Sequence, residues 1–377
     1  MKSPSRPNEA TMGAIRDVHE ALSSTWNARP RALRLFGRSS SIDRAIDLID
    51  QLDPNPQVCP HLVGLLVHPV PDVRQATARF ITRSMPLLEA EALPKFESVI
   101  RSIGSYRWEL RTTAINADRV DHHVLGLYSM HDSGYVRESA VKALAKAPDG
   151  LRYLLLRIND WVPAVRSLAA SAISTQITQP NARRWAELLP MIVRLQGRSR
   201  ADPRWVLEGI ERLLLTPENR AVLFEAIQMP DHPASRAAFL MALRLTPSER
   251  VHALLTGIRS RDPVIRLQAA RAIRAWTDCP DRSVLLRRLF KDKFGPVRLE
   301  VLLSQVEPAA PDRREWIESA LLDRSGSVRE AARFHYKRLP PPNKLQDFYS
   351  NVLESARAGS QPRLMAVALR GVKESAT

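Results

Sequence analysis

Residues 160–173 read DWVPAVRSLAASAI, a short turn that leads into a helix. Pro163 stands where that helix would begin, a position that tolerates its missing N–H and suits its fixed φ angle. Apolar side chains then recur at three- and four-residue spacing, which predicts one apolar helix face. They are Val165, Leu168, Ala169, Ala172 and Ile173. The preceding LRYLLLRI, residues 151–158, predicts a short first helix, and a hairpin of two such helices must stack on others to bury both its faces.

The same order of an aspartate, a short turn, an apolar–arginine pair and an alanine-rich helix returns along the chain. The clear copies begin at Asp132, Asp160, Asp262, Asp292 and Asp323. Weaker copies centre on Arg44, Arg74, Arg111, Val206, Arg236 and Arg363. Successive copies lie 26 to 40 residues apart, about 32 on average, and such a period indicates stacked helical hairpins. The sequence therefore predicts an all-α fold, an α-solenoid (superhelix) of about eleven hairpins.

This motif resembles HEAT repeats, including the short variety found in phycobilisome lyase-type proteins, over residues 41–373. The resemblance implies a curved surface that holds a macromolecule, but it does not fix an activity. In that family the repeated aspartate and arginine usually bond between adjacent turns and helices. Carried over, this structural ladder consists of Asp132, Asp160, Asp262, Asp292 and Asp323 with Arg137, Arg166, Arg266, Arg298 and Arg329.

The ends of the chain depart from the repeat. Residues 1–40 predict a flexible lead and a capping helix from Ala10 to Ser23. Residues 41–339 form the repeat array, and residues 340–377, which begin with three prolines, predict a C-terminal capping repeat. Atypical ends are expected because the outer face of a terminal repeat meets water.

The charge is strongly positive and unevenly distributed. The chain has a net charge of +16 and a pI near 10.5, which favours a polyanionic partner unless it reflects an arginine-biased composition. Residues 1–38, 183–204 and 259–298 together carry +15 of this charge. The last segment supplies candidate residues for binding a polyanion or another partner, unless they only solvate a convex face. They are Arg271, Arg274, Arg282, Arg287, Arg288, Lys291 and Lys293.

The cysteines and the hydropathy indicate a cytoplasmic protein. Only Cys59 and Cys279 are present, so a secreted disulfide framework is excluded and a reducing compartment is expected. The polar N-terminus has no apolar signal-peptide core. No uninterrupted apolar stretch approaches 18 residues, which predicts that the chain has no membrane span.

Several clusters carry residue types that are used in chemistry. Asp121, His122 and His123 with His131 and Asp132 could ligate a metal, but adjacent histidines point apart on a helix, which favours a surface turn. In a second cluster, Cys59 could pair with His61 or His68, yet no oxyanion-hole motif accompanies them. The sequence also contains no phosphate-binding or dinucleotide-binding glycine loop. We therefore expect no enzymatic activity, no cofactor and no metal.

One further pair, Asp160–Trp161, is similar to the aspartate and aromatic residues of HEAT-like DNA-alkylation-repair glycosylases, although Asp160 also occupies a ladder position.

The favoured hypothesis is a non-enzymatic scaffold that holds a protein partner. The alternative is a basic nucleic-acid-binding solenoid that could be related to those glycosylases. A third class is a lyase or chaperone for a cofactor-bearing protein. The protein partner is favoured because the tryptophans do not interleave with the basic segment as a stacking platform requires, and Trp276 is the only tryptophan inside it.

Overall fold

The computed structural model describes residues 6–23, 40–104, 120–147, 149–196, 202–279, 281–306, 312–340 and 344–375. Within these ranges all regular secondary structure is helical and strands are absent, so the predicted all-α fold is confirmed. None of the helices described has the length and apolar character that crossing a bilayer requires. The chain divides into two compact units, Met1–Val222 and Leu223–Thr377, here called the N-terminal and C-terminal units.

The N-terminal unit begins with a helix that matches the predicted cap. Its α-helices are α1 (Glu9–Ser23), α2 (Ser40–Gln51), α3 (Cys59–Leu62), α4 (Pro71–Ser84), α5 (Leu93–Gly104), α6 (His122–Tyr128), α7 (Gly134–Leu144), α8 (Leu151–Arg157), α9 (Pro163–Gln176), α10 (Ala182–Glu187), α11 (Leu189–Leu195) and α12 (Arg204–Leu214). Short 3-10 helices span Pro56–Val58, Val63–Val67, Met85–Leu87, Ala90–Ala92, Gln179–Asn181 and Pro217–Asn219.

The division between the units falls within α13 (Arg220–Ile227). The C-terminal unit then contains α14 (His232–Ala242), α15 (Pro247–Ile258), α16 (Pro263–Ala275), α17 (Arg282–Leu289), α18 (Gly295–Gln305), α19 (Arg313–Leu321), α20 (Gly326–Tyr336), α21 (Leu345–Ala358) and α22 (Pro362–Ser375). Helices α21 and α22 pack against each other, and Tyr349 of α21 is fully buried in a core shared with Leu321 and Tyr336.

Neighbouring hairpins stack within each unit. Second helices pack directly on one another, α7 on α9 in the N-terminal unit and α16, α18 and α20 in turn in the C-terminal unit. The predicted apolar face is buried at Val165, Ala169 and Ile173. First helices also come close: a Cβ on Gly126 of α6 would collide with the ring of Tyr153 of α8. This packing fits the predicted solenoid.

An arginine–aspartate ladder joins the hairpins. In each rung an arginine near the start of one second helix pairs with the aspartate in the next hairpin's turn, as Arg137 Nε and Nη2 do with Asp160, both at 2.9 Å. The aspartate also accepts the main-chain N–H two residues later, which fixes its turn. The other such rungs are Arg236–Asp262, Arg266–Asp292 and Arg298–Asp323. Opposite charges and multiple hydrogen bonds allow these ions to be buried.

The ladder assignment of Asp132 is wrong. His131 lies six residues before Arg137, as Asp160 lies six residues before Arg166, and its Nδ1 accepts the N–H of Ser133 at 2.9 Å. The carboxylate of Asp132 is half exposed and lies 4.0 Å from Arg101. Asp132 lies one residue closer to the arginine than Asp160 does in its own turn, and the histidine before Asp132 performs the turn-fixing role.

Two of the arginines predicted for the ladder, Arg166 and Arg329, have partners other than a turn aspartate. Arg166 donates to the main-chain oxygens of Asp160 and Trp161, while Asp202 of the next copy pairs with Arg204 instead. Arg329 pairs with Glu374 of α22. The hydrogen bond from Arg329 is the main cause that lowers the pKa of Glu374 to about 2. A glutamate on a helix thus replaces the turn aspartate in the last rung.

Some predictions from the sequence concern residues that the structure does not describe. The repeat copy at Arg111 lies among them. The domain boundaries predicted near residues 40 and 339 stay predictions, since the division into compact units follows a different criterion, the contacts between residues.

Candidate docking surfaces on the repeat turns

Trp161 lies on the surface of the N-terminal unit, in the turn between α8 and α9. The buried side chain of Asp160 accepts the N–H of Val162 at 2.9 Å, which fixes the turn, and the indole of Trp161 remains 54% exposed. The guanidinium carbons of Arg101 and Arg137 each lie 5.1 Å from its ring centroid. Both cations attract the ring's π electrons and restrain the indole at the surface.

A cleft of about 270 Å³ adjoins this indole. Helix α5 contributes Glu97 and Arg101, α8 contributes Arg157, the turn contributes residues 159–161, and α11 contributes Leu195. Because the elements that form it belong to the stacked hairpins, the cleft is part of the packed framework and does not depend on a free loop.

Charged groups form a network beneath the cleft. Arg157 donates to Asp160 at 2.8 Å and to Glu97 at 2.6 Å, and Arg101 pairs with Glu97 at 2.7 Å. Burial would raise the pKa of Asp160, but hydrogen bonds from Arg137 and the charge of Arg157 outweigh burial and hold that pKa below its ordinary value. Asp160 therefore stays ionised, with both oxygens engaged, and is poorly placed to accept a proton from a ligand.

Two buried polar atoms of cleft-lining residues lack a hydrogen-bond partner among the described residues. They are Nε of Arg157, a donor, and Oδ1 of Asn159, an acceptor. An unsatisfied buried polar atom is costly.

The basic residues predicted in the C-terminal unit do not all share one environment. Arg271 and Arg274 on α16 both contact Glu300 of α18, at 3.4 and 2.9 Å. On α17, Arg282 donates to the main-chain oxygen of Ile273 at 3.4 Å and Arg287 lies 3.4 Å from Asp312. The other three, Arg288, Lys291 and Lys293, are exposed. The first pair already faces a carboxylate, whereas Lys291 and Lys293 lie in the turn that follows α17.

The turns of three successive hairpins in the C-terminal unit expose a group of cations, which we call the cationic turn edge. Its members are Arg259, Arg261, Lys291, Lys293 and Arg324. Arg259 and Arg261 belong to the basic segment of residues 259–298 but were not among its candidate residues, and Arg324 lies outside that segment. A signal existed, because Lys293 and Arg324 each directly follow a ladder aspartate and Arg261 directly precedes one.

The clusters considered for chemistry have structural roles. Asp121 caps α6 by accepting the N–H of His123, and the ring of His123 bonds to Tyr153 Oη at 2.8 Å. Cys59 is fully buried, and this burial raises the pKa of its thiol to about 12, which disfavours the nucleophilic thiolate. No group of three or more potential metal ligands occurs within the described ranges.

No protein-family model matches the chain, and no curated protein matches it. The HEAT-like resemblance thus rests on the repeated motif alone, and the surfaces described above carry the functional argument.

Proposed function

We propose that the chain is a non-enzymatic protein-binding scaffold, and that its N-terminal unit docks a partner at Trp161. The observation that carries this proposal is an indole that is 54% exposed, restrained by two guanidinium groups and bordered by a cleft. An exposed tryptophan that is held in place loses little conformational freedom on binding, which favours its use as an anchor.

The surroundings of Trp161 have the composition of a protein interface. Tryptophan, tyrosine and arginine supply most binding energy at such surfaces. Tyr135, which is 77% exposed, follows Gly134, and a Cβ on Gly134 would lie 3.1 Å from Val162 beside the indole. Charges of both signs surround these aromatics, including Arg101 and the half-exposed Asp132. A mixed polar rim around aromatic anchors suits a protein partner better than a uniformly anionic one.

The non-enzymatic part of the proposal is supported by the state of the acidic groups in the cleft. Glu97 and Asp160 are both engaged by guanidinium groups, so neither is poised for acid–base work. A cytoplasmic location is part of the same proposal, since Cys59 and Cys279 are both buried free thiols, as expected in a reducing compartment.

The test compares two exposed aromatic residues. Trp161→Ala removes the proposed anchor, and Phe334→Ala removes a similarly exposed ring that also lies under an arginine, Arg338, but in the C-terminal unit. Quantitative affinity capture from extracts should show proteins that wild type and Phe334→Ala retain and that Trp161→Ala loses at least tenfold, as expected for a hot-spot residue. Identical capture by all three proteins, with unchanged thermal unfolding, would refute the proposal.

A further inference from the structure

We propose that the cationic turn edge of the C-terminal unit binds the phosphate backbone of a nucleic acid. This inference goes beyond the protein-docking proposal and rests on different residues. Arg259, Arg261, Lys291, Lys293 and Arg324 are all exposed, and they come from the turns of α15–α16, α17–α18 and α19–α20.

The ladder places these three turns beside one another. Arg266 donates to the main-chain oxygen of Arg261 in its own turn and to the carboxylate of Asp292 in the next. Arg298 makes the corresponding link from Asp292 to Asp323. Arg324 reaches back from the third turn, and its Nη2 donates to the main-chain oxygen of Lys293 at 2.7 Å. The cations therefore lie along one edge. Their spacing follows from the packing of the helices, whose axes lie about 8–10 Å apart.

The acidic residues of these turns do not cancel the edge charge. Asp262, Asp292 and Asp323 are each paired with a ladder arginine inside the stack. The ladder is thus internally neutral. In the described part of the chain, no carboxylate forms an ion pair with Lys291 or Lys293. Cations that lack an internal partner can neutralise phosphates and release their condensed counterions, which is the main source of backbone affinity.

The residue types favour phosphate over an acidic protein surface. Lysine is depleted at protein–protein interfaces, whereas lysine and arginine both neutralise phosphates. A protein interface also needs an apolar centre. Among the described residues of these three turns, the large apolar side chain that is exposed is Phe294, at 36%. The edge thus lacks the apolar centre of a protein interface, and its cations are suited to the phosphate backbone.

The chain offers a control pair of equal charge. Lys291→Gln with Lys293→Gln removes two positive charges from the edge, and Arg271→Gln with Arg274→Gln removes two from α16, where both arginines face Glu300. All four side chains are exposed, so the two double variants should fold as wild type does. Net charge is the same in both, and only the location differs.

The experiment is a fluorescence-anisotropy titration of the full chain with a labelled single-stranded DNA of about 20 nucleotides, longer than one binding site. If five cations each neutralise a phosphate, wild-type affinity should fall about 100-fold between about 50 and 200 mM salt. At the lower salt concentration, the affinity of the Lys291/Lys293 double variant should be at least about tenfold lower than that of wild type. The slope of log affinity against log salt concentration should also be smaller in magnitude by about 1.4. The Arg271/Arg274 double variant should stay within about twofold of wild type.

Three results would overturn the inference. Wild type could show no binding at about 50 mM salt. Both double variants could lose equal affinity, which would indicate net charge and not the edge. A labelled poly-glutamate of similar length could bind as tightly as the DNA and depend equally on Lys291 and Lys293, which would indicate an acidic protein partner. Trp161→Ala should leave DNA affinity unchanged, so failure here is distinguishable from failure of the protein-docking proposal.

Discussion

The residue that follows a ladder aspartate differs between the two units. In the N-terminal unit Asp160 precedes Trp161, whereas in the C-terminal unit Asp292 precedes Lys293 and Asp323 precedes Arg324. The aspartates themselves perform the same task, since each accepts the main-chain N–H two residues later and a pair of bonds from an arginine. The fold thus constrains the aspartate and leaves the next side chain at the surface, where its chemistry can differ without altering the hairpin stack.

The ladder itself is also unequal in the two units. The side chains of Arg137 and Asp160 are 0% and 1% exposed, whereas Arg236, the partner of Asp262, is 36% exposed. Water can partly replace a lost partner of Arg236, but it cannot reach Arg137. Stability should therefore depend more on the rung in the N-terminal unit.

Asp160→Asn is expected to have the largest effect. It leaves two guanidinium groups, those of Arg137 and Arg157, buried without their shared anion, and the free energy of unfolding should fall by about 3–5 kcal/mol. Asp262→Asn is the matched control and should lower it by about 1 kcal/mol. Urea unfolding followed by far-ultraviolet circular dichroism measures both values. Equal losses would contradict the difference in burial between the rungs.

The contribution of the Glu374–Arg329 pair to stability should be lost as the pH falls. The pKa of Glu374 is about 2 in the folded chain and 4.5 ordinarily, mainly because Arg329 donates to its carboxylate. A folded-state pKa that is lowered gives stability that is complete above about pH 4.5 and is lost as the pH falls toward about 2. Glu374→Gln removes this pH-dependent stability. Between about pH 7 and pH 3, the melting temperature of the variant should therefore fall less than that of wild type, and the two decreases should differ by about 2–4 °C.

Calorimetry of the two proteins at both pH values checks this prediction. An equal decrease in both would show that the pairs of Glu374 with Arg329 and Arg333 do not contribute. The rungs built on turn aspartates remain in both proteins, which isolates the contribution of the C-terminal cap.

The sequence predicts the interior of this molecule better than its surfaces. The period near 32 residues and the apolar face of residues 160–173 were enough for the helical hairpins, because burial repeats in every copy. Arg137, Arg266 and Arg298 followed from the same recurrence, whereas the rung of Arg236 with Asp262 was not predicted. Asp132 was misassigned because it lies five residues before Arg137, whereas most of the ladder aspartates lie six residues before the arginine of their own hairpin. A histidine at that position, His131, carries no aspartate signal at all.

The surfaces depend on contacts between residues far apart in the chain. Glu300 lies 29 residues from Arg271 and 26 from Arg274, so the charge run alone could not reveal that these arginines are paired. Similarly, one of the two guanidinium groups beside the Trp161 ring, that of Arg101, comes from another hairpin. By contrast, Arg324 could have been found by reading the residue after each ladder aspartate.

The smallest expected effect on stability comes from exchanging the two turn residues. Trp161→Lys and Lys293→Trp each replace an exposed side chain that follows a ladder aspartate, and the hydrogen bonds of the turn come from the main chain and the aspartate. Trp161→Lys should cost up to about 1 kcal/mol, because its contacts with Arg101 and Arg137 are lost. Lys293→Trp should change stability by no more than about 0.5 kcal/mol.

If either exchange instead cost as much as Asp160→Asn, the position would belong to the packed framework, and the separation between a constrained aspartate and a free neighbour would fail. If both are tolerated, the same two proteins can be used in the capture and DNA titrations. Trp161→Lys should then lose the protein partner alone, and Lys293→Trp should weaken DNA binding alone.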